Sequence, residues 1–211
     1  MPRRYRSSQG QTGGLPFIAA DNFLASDEKK KLKLFHHTKI MNKNYELIKK
    51  ILSKNSINFE EMEHPAVETC EDSARFRLEK GMVGLGSKNI IFHCKGNFYL
   101  VVTHAAKQIK ARNFKHEFGS KDIRFASQEE IDNAVGAKIG SIPPFGFENE
   151  NLPIYVDEEI FESEYFIFNP SDPCRSIRIN TNDLRKIYSN LSNPIKYFTH
   201  KEDKFELIEN E

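Results

Sequence analysis

The chain has 211 residues, 38% of them hydrophobic and 11% aromatic, which is material for one packed core in which 17 Phe and no Trp supply most of the aromatic bulk. A net charge of +1 excludes a global basic field for nucleic acid, so any such contact must come from a local patch. Cys70, Cys94 and Cys174 are too scattered for a disulfide framework and fit a reducing, cytoplasmic setting, and no apolar run approaches the ~18 residues of a membrane span.

Residues 1–40 open with Arg3, Arg4 and Arg6 and carry a later lysine run, without core periodicity; they are expected to form a flexible extension. The folded domain is expected over 41–198. Tyr45, Leu47, Ile48, Ile51 and Leu52 recur at helical spacing with lysines opposite. Asn58 to Glu63 is a strand candidate leading to His64–Pro65. Thr69 with Asp72 resembles a capping box, so Cys70 to Lys80 should be helix, with a flexible glycine loop after it. Lys88 to Cys94, the turn Lys95–Gly96–Asn97 and Phe98 to Thr103 read as a β-hairpin. Its second strand is apolar without alternation and should be covered on both faces.

Ala105 to Phe118 is expected to be helical, with Lys107, Lys110, Arg112 and Lys115 facing solvent. Ile123 to Phe125 reads as a strand, and Ser127 with Glu130 as a capping box opening a helix to Val135. Gly136 to Phe147, GAKIGSIPPFGF, combines three glycines with Pro143 and Pro144 and cannot be helix interior or central strand. It is expected to be a stiff loop whose exposed amides can hold a carbonyl or oxyanion beside the side-chain-free Gly140. Ile154 to Val156, then Tyr165 to Asn169 paired with Ser176 to Ile179, read as strands. Asn180 or Thr181 caps a last helix, and 199–211 is expected to be a polar tail. The elements predict an α/β domain with a mixed, largely antiparallel sheet flanked by helices.

The chain has no GxSxG elbow, P-loop, HExxH or CxxC. His64, Cys70, His93, Cys94 and His104 fit no compact ligand spacing, so neither a metal nor a cofactor is expected. Cys70, six residues after His64, is one alternative: the nucleophile of a thiol hydrolase.

The order of segments is informative. HPAVET at 64–69, SKNIIF at 87–92 and the strand FYLVV are followed by FASQEEIDNAVGAKIGSIPPFGF and IYVDEEIF. This succession resembles the YbaK/prolyl-tRNA-editing domain family of aminoacyl-tRNA deacylases, in its freestanding, trans-editing form, over nearly all of 42–190. The resemblance implies a YbaK-like domain that hydrolyses the ester of a mischarged tRNA, alanyl-tRNA(Pro) or one carrying another small amino acid. Lys88 and Gly140 would be the catalytic positions, and Ser141, Ile142, Pro143, Pro144, Asn89, His64 and Asn169 would bind substrate. A patch of Lys107, Lys110, Arg112 and Lys115 would meet the tRNA body. The partners implied are mischarged tRNA and an aminoacyl-tRNA synthetase, with the protein a monomer away from membranes. The chain departs from the pattern at Asn169–Pro170, where the alanyl-editing branch often has His–Pro. A module that binds a tRNA end or a synthetase without catalysis is the other alternative.

Overall fold

The computed structural model describes residues 43–66, 70–201 and 204–208. The expected extension 1–40 and the capping residue Thr69 lie outside these residues. Among the described residues four α-helices and nine strands build the fold: α1 (43–54), β1 (Glu60–Glu63), α2 (Cys70–Glu79), β2 (Leu85–Cys94), β3 (Asn97–His104), β4 (Ile123–Phe125), α3 (Gln128–Val135), β5 (Ile154–Asp157), β6 (Tyr165–Phe168), β7 (Arg175–Asn180), α4 (Thr181–Ser189), β8 (Ile195–Lys201) and β9 (Lys204–Ile208). The strands form one mixed sheet in the order β1-β7-β6-β2-β3-β5-β8-β9, with β4 also on β2. The β2–β6, β3–β5 and β5–β8 pairs are parallel and the others antiparallel.

Strand periodicity separates two covers. Ile91, Leu100, Val102, Ile154, Val156, Phe166, Phe168, Ile177 and Ile179 belong to one core with Ile48, Leu52, Ile131, Val135, Leu184, Ile187 and Tyr188, so α1, α3 and α4 lie on that face. Phe92, Cys94, Val101, Tyr155 and Phe198 alternate with them and pack with Ile109, Phe114 and Phe118 on the other face. β3, between β2 and β5, is buried from Leu100 to Thr103, as an apolar run without alternation requires.

Local chemistry accounts for the element ends. Ser127 accepts from the Glu130 amide and Glu130 accepts from the Ser127 amide, a complete capping box. Gly136, left-handed at φ 62°, ends α3 by donating to Asp132 O. Asn180 caps α4 through the Asn182 amide.

The expected helix at 105–118 is corrected. After β3 the chain turns and forms only a short 3₁₀ helix at Ala111–Phe114. Buried Ile109 and Phe114 are five positions apart, about 140° around an α-helix, which is a poor match to a single helical stripe. Packing of those rings overrides helix propensity. The stretch 199–211, expected as a polar tail, instead supplies the end of β8 and all of β9, an antiparallel pair that sets Phe205 against Phe114 and Phe198.

Candidate active site

Lys88, expected to open its strand, is the fourth residue of the ten-residue strand β2 and is half-buried. Its register partner on β3 is Thr103, and residues paired across a ladder share a face. Lys88 therefore alternates with Asn89 and joins the face of Ile90 and Phe92. The bonds agree. Lys88 Nζ donates to Lys107 O at 2.8 Å, whereas Asn89 Nδ2 donates to Ile142 O at 2.7 Å on the opposite side.

On the Lys88 face the covering is in two parts. The segment after β3 lies over β3 and β5, and α2 lies over β2, β6 and β7. Gly86, two residues before Lys88, marks the second cover: a Cβ there would stand 3.0 Å from Arg77 Nη1 of α2. Lys88 thus stands at the seam between the two covers. The β2–β6 register pairs Leu85 with Phe166 and Gly86 with Ile167, the latter pair two residues before Lys88 on one strand and Asn169 on the other chain segment. Asn169 is the first residue past β6, whose last pair with β7 is Phe168–Ile177.

Asn169 is buried, and among the described residues its Oδ1 accepts no hydrogen bond. An unpaired buried acceptor costs about 1–3 kcal/mol, so it marks a place for a donor. His64 is buried too: Nδ1 lies 2.8 Å from Pro65 O and Nε2 lies 3.0 Å from Ser176 Oγ. A carbonyl accepts only, so in the neutral ring Nδ1 carries the proton and Nε2 accepts from Ser176. Arg77 Nε also donates to Ser176 Oγ, at 3.0 Å. Ser176 is wholly buried, so the His64 contact ties β7 to the residue after β1, the Arg77 contact ties β7 to α2, and neither presents a nucleophile.

Beyond Lys88 lies an ionic cluster that sequence reasoning missed. Lys107 Nζ is 2.8 Å from Asp157 Oδ2 and 2.9 Å from Glu159 Oε1. Thr103 Oγ1 donates to Asp157 Oδ2 at 2.7 Å, and His104 Nε2 is 3.3 Å from Glu159. Burial would raise the Glu159 carboxyl, but hydrogen bonds and charge from Lys107, with His104 behind them, hold it below its ordinary value. His104, Asp157 and Glu159 converge closely enough to suggest a cation site, yet the Lys107 ammonium already sits against both carboxylates. Lys107 is accordingly removed from the expected tRNA-facing patch, because its side chain is 9% exposed and doubly ion-paired. Lys110, Arg112 and Lys115 are exposed on the segment that follows. The one advance signal was Asp157 in strand alternation with the aromatic Tyr155.

The loop 136–147 is corrected in character. Ser141, Ile142, Pro143 and Pro144 are buried, as are the three residues that follow, and the loop docks through Asn89 on Ile142 O and Tyr188 on Pro144 O. Two amides near its apex are committed: Ile139 N donates to Gln128 Oε1 and Ser141 N to Lys138 O. Gly140 is exposed at the apex with φ 88°. Buried Asn44 ties the base of this loop to the turn after Asn169, donating to Val135 O at 2.8 Å and reaching Ser171 Oγ at 3.4 Å. The Cys70 side chain lies outside the described residues.

The sequence profile of the aminoacyl-tRNA editing domain matches residues 64–187. The chain is 28% identical over 142 residues to the multifunctional Ser/Thr-tRNA deacylase ProXp-y of Escherichia coli K12, covering 65% of this chain and 83% of that one. It is 25% identical over 150 residues to the prolyl-tRNA editing protein ProX of Acetoanaerobium sticklandii, covering 69% and 90%. A crystal structure described as a candidate trans-editing enzyme for prolyl tRNA synthetase superposes with a TM-score of 0.58 at 20% identity, over 72% of this chain and 94% of that one. Among the described residues no helix is long and apolar enough to cross a membrane.

Proposed function

The chain belongs to the aminoacyl-tRNA editing domain family, and from that premise we propose that it hydrolyses the ester joining a wrong amino acid to the terminal ribose of a tRNA. The observation that carries the reading is the half-buried Lys88 ammonium on β2 together with the buried, unpaired Asn169 amide oxygen just past the neighbouring strand β6. A cation and a buried acceptor are the complement of an aminoacyl ester, which offers a carbonyl oxygen and an α-ammonium.

Water attacks the ester carbonyl, negative charge collects on its oxygen, and the ribose oxygen leaves with a proton. Lys88 is placed to offset that charge, a role that elsewhere supplies several kcal/mol when the donor is preorganised. No covalent intermediate is required. The energetic need is general, since a synthetase pocket gains only about 1–3 kcal/mol from one methylene and admits smaller competitors.

The two named relatives bring serine, threonine and proline-linked editing into consideration. A small amino acid is the substrate proposed, with Asn169 Oδ1 as an acceptor for its ammonium or its hydroxyl. The tRNA body would meet Lys110, Arg112 and Lys115, and a synthetase is the expected source of the error. The test is a deacylation panel of tRNAs charged with alanine, serine, threonine and the cognate amino acid. Release of a small amino acid by wild type and equally by Cys70→Ala supports the reading. Binding of charged tRNA without release would make the protein a binding module, and loss of activity in Cys70→Ala would make it a thiol hydrolase.

A further inference from the structure

We propose that Asp157 is a positioning residue for Lys88, acting through Lys107 and Thr103; the inference rests on the deacylase reading above. Asp157 is wholly buried at the end of β5. A carboxylate is tolerated there only with good partners. It has three: the Lys107 ammonium at 2.8 Å, the Thr103 hydroxyl at 2.7 Å and the Glu159 amide at 3.3 Å. Two of these lead directly to Lys88. Thr103 is the residue facing Lys88 across the ladder, and Lys107 is the residue whose carbonyl receives the Lys88 ammonium.

The geometry is a relay of fixed points. Asp157 and Glu159 hold the Lys107 side chain from below, and Lys107 N donates to His104 O in the turn leaving β3. With both ends of Lys107 held, its carbonyl cannot swing. A lysine ammonium on a four-carbon stem has little orientation of its own. The fixed carbonyl supplies it, using one N–H and leaving others for a substrate oxygen. The charges also balance locally, with Lys88 and Lys107 against Asp157 and Glu159. Removing the Asp157 charge leaves the Lys107 ammonium to Glu159 alone and lets the acceptor of Lys88 shift. A misplacement of about 1 Å at a reacting group can cost about 10²-fold in rate.

A role in stability alone would also slow a damaged protein, so the test compares backgrounds. Single-turnover deacylation, with enzyme in excess over a tRNA that wild type discharges, is measured for Asp157→Asn, Lys88→Ala and the double variant. Asp157→Asn is expected to lose about 10²-fold in rate at an unchanged half-saturating enzyme concentration, and to lose nothing more in the Lys88→Ala background, where no side-chain donor remains to use the carbonyl. Asp157→Asn at the wild-type rate, or equal losses in both backgrounds, overturns the proposal. If Asp157→Asn does not fold, Thr103→Val, which removes only the hydroxyl bond, is judged by the same comparison, with a smaller loss expected. A wild type silent on every charged tRNA removes the deacylase reading and this inference together, whereas an active wild type with an unaffected variant removes this inference alone.

Discussion

Gly146 and Gly140 share one loop but face different constraints. Gly146 has φ 92° and is buried, and a Cβ on it would collide with Ile48 of α1 and come within 3.3 Å of the Ile48 backbone nitrogen. Gly140 has a similar φ but is exposed at the loop apex. Gly146→Ala should therefore lower stability by about 1–3 kcal/mol through overpacking alone, with backbone strain adding to it. Denaturant midpoints read this directly, and an unchanged midpoint would contradict the packing described. The glycine–proline composition marked this loop in the sequence. Which glycine is confined could not be read there, because the confining atoms belong to a helix far upstream. Asp157 was hidden for a related reason. In the run Asp157–Glu158–Glu159 only the strand alternation with Tyr155 hints at which carboxylate is buried, and its partners come from β3 and the turn after it.

At the scale of elements, the segment 105–119 is held down by Glu117 as well as by its rings. Tyr155 Oη donates to Glu117 Oε1 at 2.6 Å, and Lys196 pairs with the same oxygen. Burial, then the bond to Glu117, pushes the Tyr155 phenol far above its ordinary value. Burial would raise the Glu117 carboxyl, but the bonds from Lys196 and Tyr155 outweigh it and hold the group below its ordinary value of 4.5. Glu159 is lowered likewise by Lys107 and His104. A depressed folded-state value contributes stability at pH above the unfolded carboxylate value, and that contribution is lost as pH falls through 4.5 towards the folded value. The melting temperature should thus drop on acidification below about pH 5, and Glu117→Gln should flatten that drop. Equal acid slopes in wild type and variant would show that Glu117 is not linked to folding. Helix α3 was legible because its capping box is local chemistry. The 105–118 segment was misread because its cationic spacing suggests a helix, while the aromatic cluster that decides its path is assembled from β5 and β8.

For the whole molecule, the hairpin readings predicted a mixed sheet correctly, since adjacent antiparallel strands are joined by short turns. The parallel pairs β3–β5 and β5–β8 bring together segments separated by long crossovers, and no local pattern announces them. The last hairpin also went unread, and it closes the second core: the Phe205 ring lies 4.7 Å from Phe114 and 5.3 Å from Phe198 between centroids. Phe205→Ala should cost about 1–3 kcal/mol, measured by thermal melting, and an unaltered melt would detach β9 from the core. Residues 1–40 remain proposed as an extension, so their deletion should leave both melting and deacylation unchanged. Family resemblance pointed to Lys88, but its neighbourhood of Asn169, Asp157 and Lys107 depends on register and on a turn, which sequence order does not contain. The most direct measurement is single-turnover release of a small amino acid from mischarged tRNA, at saturating enzyme, by wild type and Lys88→Ala. The account predicts discharge by wild type and a loss of about 10²–10³-fold in the variant; wild-type rates in Lys88→Ala, or no discharge by wild type, would contradict it.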